Sequence, residues 1–72
     1  MKLSKAMSDV CKFIETAFDR QTDPDDAHWE VCKQTADQFD LWEETEAEGV
    51  QGFPLWLSFV VQGIGRDKGV LQ

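Results

Sequence analysis

The chain has 72 residues, 42% of them hydrophobic and 11% aromatic, with two cysteines and a formal net charge of −7. That length holds one small domain with a simple core, and the apolar content is too high for a disordered chain. Two cysteines make no disulfide framework, and the charge has the wrong sign for direct nucleic-acid binding, which sets Lys and Arg against phosphate.

The first element is read from Leu3, Ala6, Met7, Val10, Ile14, Ala17 and Phe18, which recur at spacings of three and four. At about 100° per residue they share one side of a helix, with Lys5, Ser8, Asp9, Lys12, Glu15, Thr16 and Asp19 opposite. The spacing predicts a helix over residues 4–20, with Ser4 as its N-cap. Met1-Lys2-Leu3-Ser4-Lys5 has the basic character of a signal-peptide start, but Ser8, Asp9, Lys12 and Glu15 break any apolar stretch after it. A soluble, cytoplasmic protein with reduced thiols is the expectation.

The second element is announced by Thr22-Asp23-Pro24-Asp25-Asp26. An Asp at the N-cap, a Pro at the first helical position and acids in the first turn form a strong helix-start pattern. A helix over residues 24–47, ending before Gly49, is predicted, with Trp29, Cys32, Ala36, Phe39 and Trp42 on its inner side. Nearly all of the excess charge falls on this segment. Between residues 21 and 50, Asp23, Asp25, Asp26, Glu30, Asp37, Asp40, Glu43, Glu44, Glu46 and Glu48 face a single base, Lys33. On a helix, Asp26, Glu30, Asp37, Asp40, Glu44 and Glu48 fall within an arc of roughly 80°, forming an acidic stripe that Lys33 only partly neutralises. The acids from Glu43 onward would crowd a helix C-terminus, where the dipole disfavours each by roughly 0.3 to 1 kcal/mol. Either the helix frays after Trp42, or those acids serve something other than folding.

Gly49, Gly52 and Pro54 mark a turn, and Pro54 opens the third element, Leu55-Trp56-Leu57-Ser58-Phe59-Val60-Val61-Gln62-Gly63-Ile64. Its β-branched and aromatic content also permits a strand, but no other stretch offers that strand a partner, so a helix over residues 54–64 is preferred. Gly63 and Gly65 are expected to end it, leaving a polar tail over residues 66–72. The apolar side chains cover about two thirds of this helix, more than two neighbouring helices can bury. Trp56, Phe59 and Val60 are therefore expected to face either a loop folded over them, a second copy in a homodimer, or another protein. The longest apolar run, Leu55 to Val61 with Ser58 inside it, is far shorter than the roughly 20 residues needed to span a bilayer.

The fold class that follows is all-α: a small three-helix bundle in a single domain over residues 1–72, either monomeric or dimeric. Motifs that carry chemistry are weak. His28 and Cys32 are four apart and Cys11 lies on the neighbouring helix, but a structural zinc site wants four ligands and paired Cys spacings. Asp19, Gln21, Asp23, Asp25 and Glu30 match part of a calcium loop, yet Pro24 stands where that loop requires glycine. Gly63-x-Gly65-x-x-x-Gly69 leads into no helix, so it is not a phosphate cradle. No catalytic residue, metal or cofactor is assigned.

The expected function is a small, acidic, non-enzymatic protein–protein interaction module. Asp26, Glu30, Asp37, Asp40, Glu44 and Glu48 would supply the charged contact, and Trp56, Phe59 and Val60 the apolar one. One concrete version, of a kind encoded by viruses and mobile elements, inhibits a basic nucleic-acid-binding or nucleic-acid-processing protein by presenting carboxylates in place of phosphates. The alternative is a structural module whose apolar third helix drives homodimer or complex assembly while the acids maintain solubility.

Overall fold

Ser4 starts the first helix as its composition suggests: with extended backbone angles, its side-chain oxygen accepts the Met7 N–H at 3.1 Å, satisfying one orphan donor of the first turn. The computed structural model describes residues 4–44 and 49–71. The elements in chain order are α1 (Lys5–Asp19), α2 (Ala27–Phe39), β1 (Glu43–Glu44), β2 (Gln51–Gly52) and α3 (Leu55–Asp67). This is a small all-α bundle in which each helix packs against the other two, with a two-stranded antiparallel sheet beside it. No helix of the described residues is long and apolar enough to cross a membrane.

α1 buries Val10, Ile14, Ala17 and Phe18 of the face read from its periodicity, whereas Met7 is half-buried and Ala6, near the start of the helix, is exposed. Phe13 adds an edge-on contact to Phe39 of α2 at 5.6 Å between ring centroids. Leu3, placed on the same face by sequence, lies outside the described residues.

α2 is shorter than expected at both ends. The Asp23 carboxylate accepts the N–H of Asp25 at 3.0 Å, two residues on, and so closes a turn over residues 23–26 instead of capping a helix. Helical geometry begins at Ala27, with Asp26 as an N-cap that makes no side-chain cap bond. At the other end Asp40 adopts the left-handed conformation (φ 54°, ψ 53°), and the N–H groups of Asp40 and Leu41 both return to the Ala36 carbonyl. That is the geometry of a helix stop, supplied here by Asp instead of the usual glycine. The predicted run to residue 47 is therefore corrected: α2 ends at Phe39, and Glu43 and Glu44 pair in extended form with Gly52 and Gln51. Gly49, with φ 74°, supplies the positive dihedral in the connection between these strands.

The inner side of α2 is also different. Ala27, Val31, Cys32, Thr35 and Ala36 are buried, and the Thr35 hydroxyl is satisfied by the Val31 carbonyl at 2.7 Å. Trp29, expected inside, is not among them. Ala27, Thr35 and Ala36 line the buried side of α2, and Trp29, within about 20° of Ala36 around the helix, stands at the edge of that side, where its ring leans on Phe53 and leaves half of its surface in solvent.

α3 begins after Pro54, which is buried and extended. It runs through Gly63 and Gly65, the glycines expected to stop it, as far as Asp67. Gly65 is buried beneath the end of the chain: a Cβ there would lie 2.5 Å from Leu71 and 2.7 Å from Phe18. The actual stop uses Gly69, with φ 77°. Val70 and Leu71 then fold back to donate to the Gly65 carbonyl and pack on the core, so these residues form a lid on the bundle rather than a free polar tail.

Candidate functional site

Leu57 and Val61 of α3 are fully buried and join Ile14 and Val31 in the core. With those two pointing inward, Leu55, Trp56 and Phe59 are carried to the opposite side of the helix, where they are 71%, 38% and 63% exposed. Gly63, exposed on that same side, has open space where a side chain would be. Val60, grouped with Trp56 and Phe59 by sequence, is half-buried and packs against the core, so it supports the open face from its edge. Three large apolar side chains on one helix form the kind of patch that solvated domains keep small.

The six acids placed on one stripe are not on one helix. Asp26, Glu30, Asp37 and Asp40 do share the outer side of α2, two of them as its end residues. Glu44 is in β1, opposite Gln51, and Glu48 lies outside the described residues. Because α2 stops at Phe39, Glu43 and Glu44 do not load a helix C-terminus, and the destabilisation inferred for them there does not arise. Two of the α2 acids have partners within the fold. Glu30 meets the Lys33 ammonium at 3.3 Å, and the Asp37 carboxylate accepts the Trp42 indole N–H at 2.6 Å. Trp42 is thus tied back to α2 just after the helix has ended. Sequence reasoning missed this bond because it kept Trp42 on the helix.

Between α2 and the segment leading into α3, three aromatic rings line up. Trp29, 53% exposed, lies 5.3 Å from Phe53. Phe53 in turn lies 6.0 Å from Trp42. Lys33 sets its ammonium 5.9 Å from the centroid of the Trp29 ring. The signal for this row was present in the sequence as three aromatics flanking the acidic segment, but only the early end of α2 brings Trp42 round to Phe53.

His28 and Cys32, four apart on α2, do come together. The His28 ring Nε2 donates to the Ser58 carbonyl of α3 at 3.1 Å, with the Ser58 hydroxyl at 3.4 Å and the Cys32 sulfur at 3.8 Å. Burial pushes the Cys32 thiol up from its ordinary 9.0 to about 11, so at neutral pH it is protonated and a poor nucleophile. The arrangement is a polar clasp between α2 and α3. Among the described residues no cavity opens to the surface and no group of three or more His, Cys, Asp or Glu side chains gathers as metal ligands would.

The fold and these surfaces define a class, a small three-helix domain with an apolar helix face and an acidic, aromatic-lined flank. No protein-family model matches the sequence, and comparison with curated proteins and with solved structures finds no significant similarity.

Proposed function

We propose that this chain is a small, acidic, non-enzymatic module that works by binding another protein, with the open face of α3 as its anchor. The observation that carries this reading is the exposure of Leu55, Trp56 and Phe59 together on one helix. Burying such side chains against a partner supplies roughly 25 cal/mol for each Å² of apolar surface removed from water. Trp and Phe are effective anchors because they bring large area at the cost of few rotatable bonds. Acids elsewhere on the surface, in a chain of net charge −7, steer an oppositely charged partner and reject like-charged ones. Free Cys11 and Cys32 fit a reducing compartment, and we assign the protein to the cytoplasm.

A narrower reading, inhibition of a basic nucleic-acid-binding protein, is supported by Asp26, Glu30, Asp37 and Asp40 lying on one side of α2. Assembly of two copies through α3 is supported by the same exposed side chains, which a second copy would cover. Solution molar mass and salt dependence separate these readings. An anchor of apolar contacts with steering acids predicts a monomer whose partner affinity falls only modestly from low to physiological salt. A steep loss points to the nucleic-acid-mimicking inhibitor, and a dimer abolished by Phe59→Ser points to self-assembly.

A further inference from the structure

The aromatic row is built from α2 and the segments between α2 and α3, and has a different chemistry from the α3 face. Trp29 presents half of its surface to solvent, Phe53 stands behind it, and Trp42 closes the row with its indole N–H fixed on Asp37. Glu30 follows Trp29 directly in sequence, and Asp26 and Asp40 lie on the same outer side of α2. Lys33, the single base among residues 21–50, already occupies one end. Its ammonium sits 5.9 Å from the centre of the Trp29 ring and 3.3 Å from the Glu30 carboxylate. The protein's own lysine therefore displays the mode of contact that this row supports: a cation held between an indole face and a carboxylate.

We propose that the Trp29–Phe53–Trp42 row is a docking strip for a cationic protein segment, whose lysine or arginine side chains lie over the indoles and pair with the flanking carboxylates. This rests on the reading that the chain works by binding protein, and it names the class of segment bound at a surface other than α3. A purely apolar segment fits poorly, because covering Glu30 and Asp37 without a compensating charge costs desolvation energy. Nucleic acid is repelled by the same carboxylates. A second copy would set acids against acids, unless it contributed its own lysines.

The test uses the full chain labelled with nitrogen-15, whose three tryptophans give three indole N–H signals. The probe is a short alternating Lys-Gly peptide, with an alternating Glu-Gly peptide as control. The Trp29 and Trp42 signals should move with the cationic peptide while Trp56 stays in place. Trp29→Ala should weaken binding about two- to fivefold for each stacked cation lost. Lys33→Met, which leaves Trp29 in place and removes the resident cation, should tighten it. Equal affinity in wild type, Trp29→Ala and Lys33→Met would mean diffuse charge attraction and would overturn the proposal. So would a Trp29 signal that shifts with protein concentration alone, which would place a second copy on the strip. Movement of Trp56 with Trp29 unmoved would overturn the docking strip and leave the α3 reading standing. Partner capture that depends on Trp29 and not on Phe59 would do the reverse.

Discussion

Gly63 and Gly65 are two residues apart on α3 and meet opposite surroundings. A Cβ at Gly65 would run into Leu71 and Phe18, whereas at Gly63 it would meet nothing within 4 Å. Phe18 is in the core, so Gly65→Ala forces the chain end to lift or the ring to move, and should destabilise the fold by about 1 to 3 kcal/mol. Gly63→Ala should stabilise the isolated protein by roughly 0.5 to 1 kcal/mol, because an exposed helical glycine costs backbone entropy and nothing inside the molecule requires it. Urea unfolding of the two variants checks both signs. A third residue-scale effect comes from Cys32, whose thiol is held up at about 11 by burial. The unfolded chain loses this proton first as pH rises. The contribution of the neutral buried thiol is therefore complete below the ordinary thiol value of 9.0 and is lost as pH rises toward about 11. Stability measured across that window should fall in the wild type and fall less in Cys32→Ala, once the general alkaline loss shared by both is subtracted.

Among the elements, α1 and the start of α3 are legible in the sequence, whereas α3 runs past the expected stop at Gly63 and Gly65 to Asp67 and α2 is legible only in its middle. The seven-residue apolar pattern of α1 and the Ser4 cap are local signals, and local signals decide a helix whose partner surface is large. The end of α2 depends on something less local. Asp40 takes a left-handed conformation so that Leu41 and Trp42 turn back toward the bundle, where both pack on the core. Burial of those side chains outweighs the continuation that the helical pattern allowed. The β1–β2 pairing left no mark in composition, since Glu43-Glu44 and Gln51-Gly52 are poor strand formers and only two residues long on each side. Trp29, expected inside with Cys32 and Ala36, lies at the edge of the side that packs inward: Ala27, Val31, Cys32, Thr35 and Ala36 are buried, while the indole is 53% exposed. The strained stop makes a prediction of its own. Asp40→Gly relieves the left-handed penalty of an L residue and should raise stability by about 1 kcal/mol, read as a higher urea midpoint at unchanged slope. An unchanged or lower midpoint would mean that the Asp40 side chain contributes more than its conformation costs.

For the whole molecule, a core of ten buried apolar residues among those described leaves each helix with one outer side, and the three outer sides differ in chemistry. That of α1 is mixed in charge, that of α2 is acidic with Trp29 exposed beside Lys33, and that of α3 is apolar through its first turns and charged at Arg66 and Asp67. The sequence marks the last two as distinctive, but it merges into one rigid line acids that the fold divides between α2 and β1, with Glu48 outside the described residues. Four of the acids still share one side of α2, while Trp56 and Phe59 are exposed on α3. Surface charge then acts mainly on the rate of encounter, and apolar contact on the lifetime of the complex. Accordingly, Asp26→Lys together with Asp40→Lys should slow association several-fold at low salt with little change in dissociation, whereas Phe59→Ser should speed dissociation.

If the exposed face of α3 anchors a protein partner, removing one of its rings must release that partner. The most direct measurement is quantitative capture from host lysate by the wild type, by Phe59→Ser and by the Asp26→Lys, Asp40→Lys pair, each first shown to unfold at the wild-type urea midpoint or above. A stoichiometric partner should be retained by the wild type and, at low salt, by the charge-reversed pair, and lost with Phe59→Ser. Retention by Phe59→Ser at wild-type level, with loss in the charge-reversed pair, would rule out α3 as the anchor.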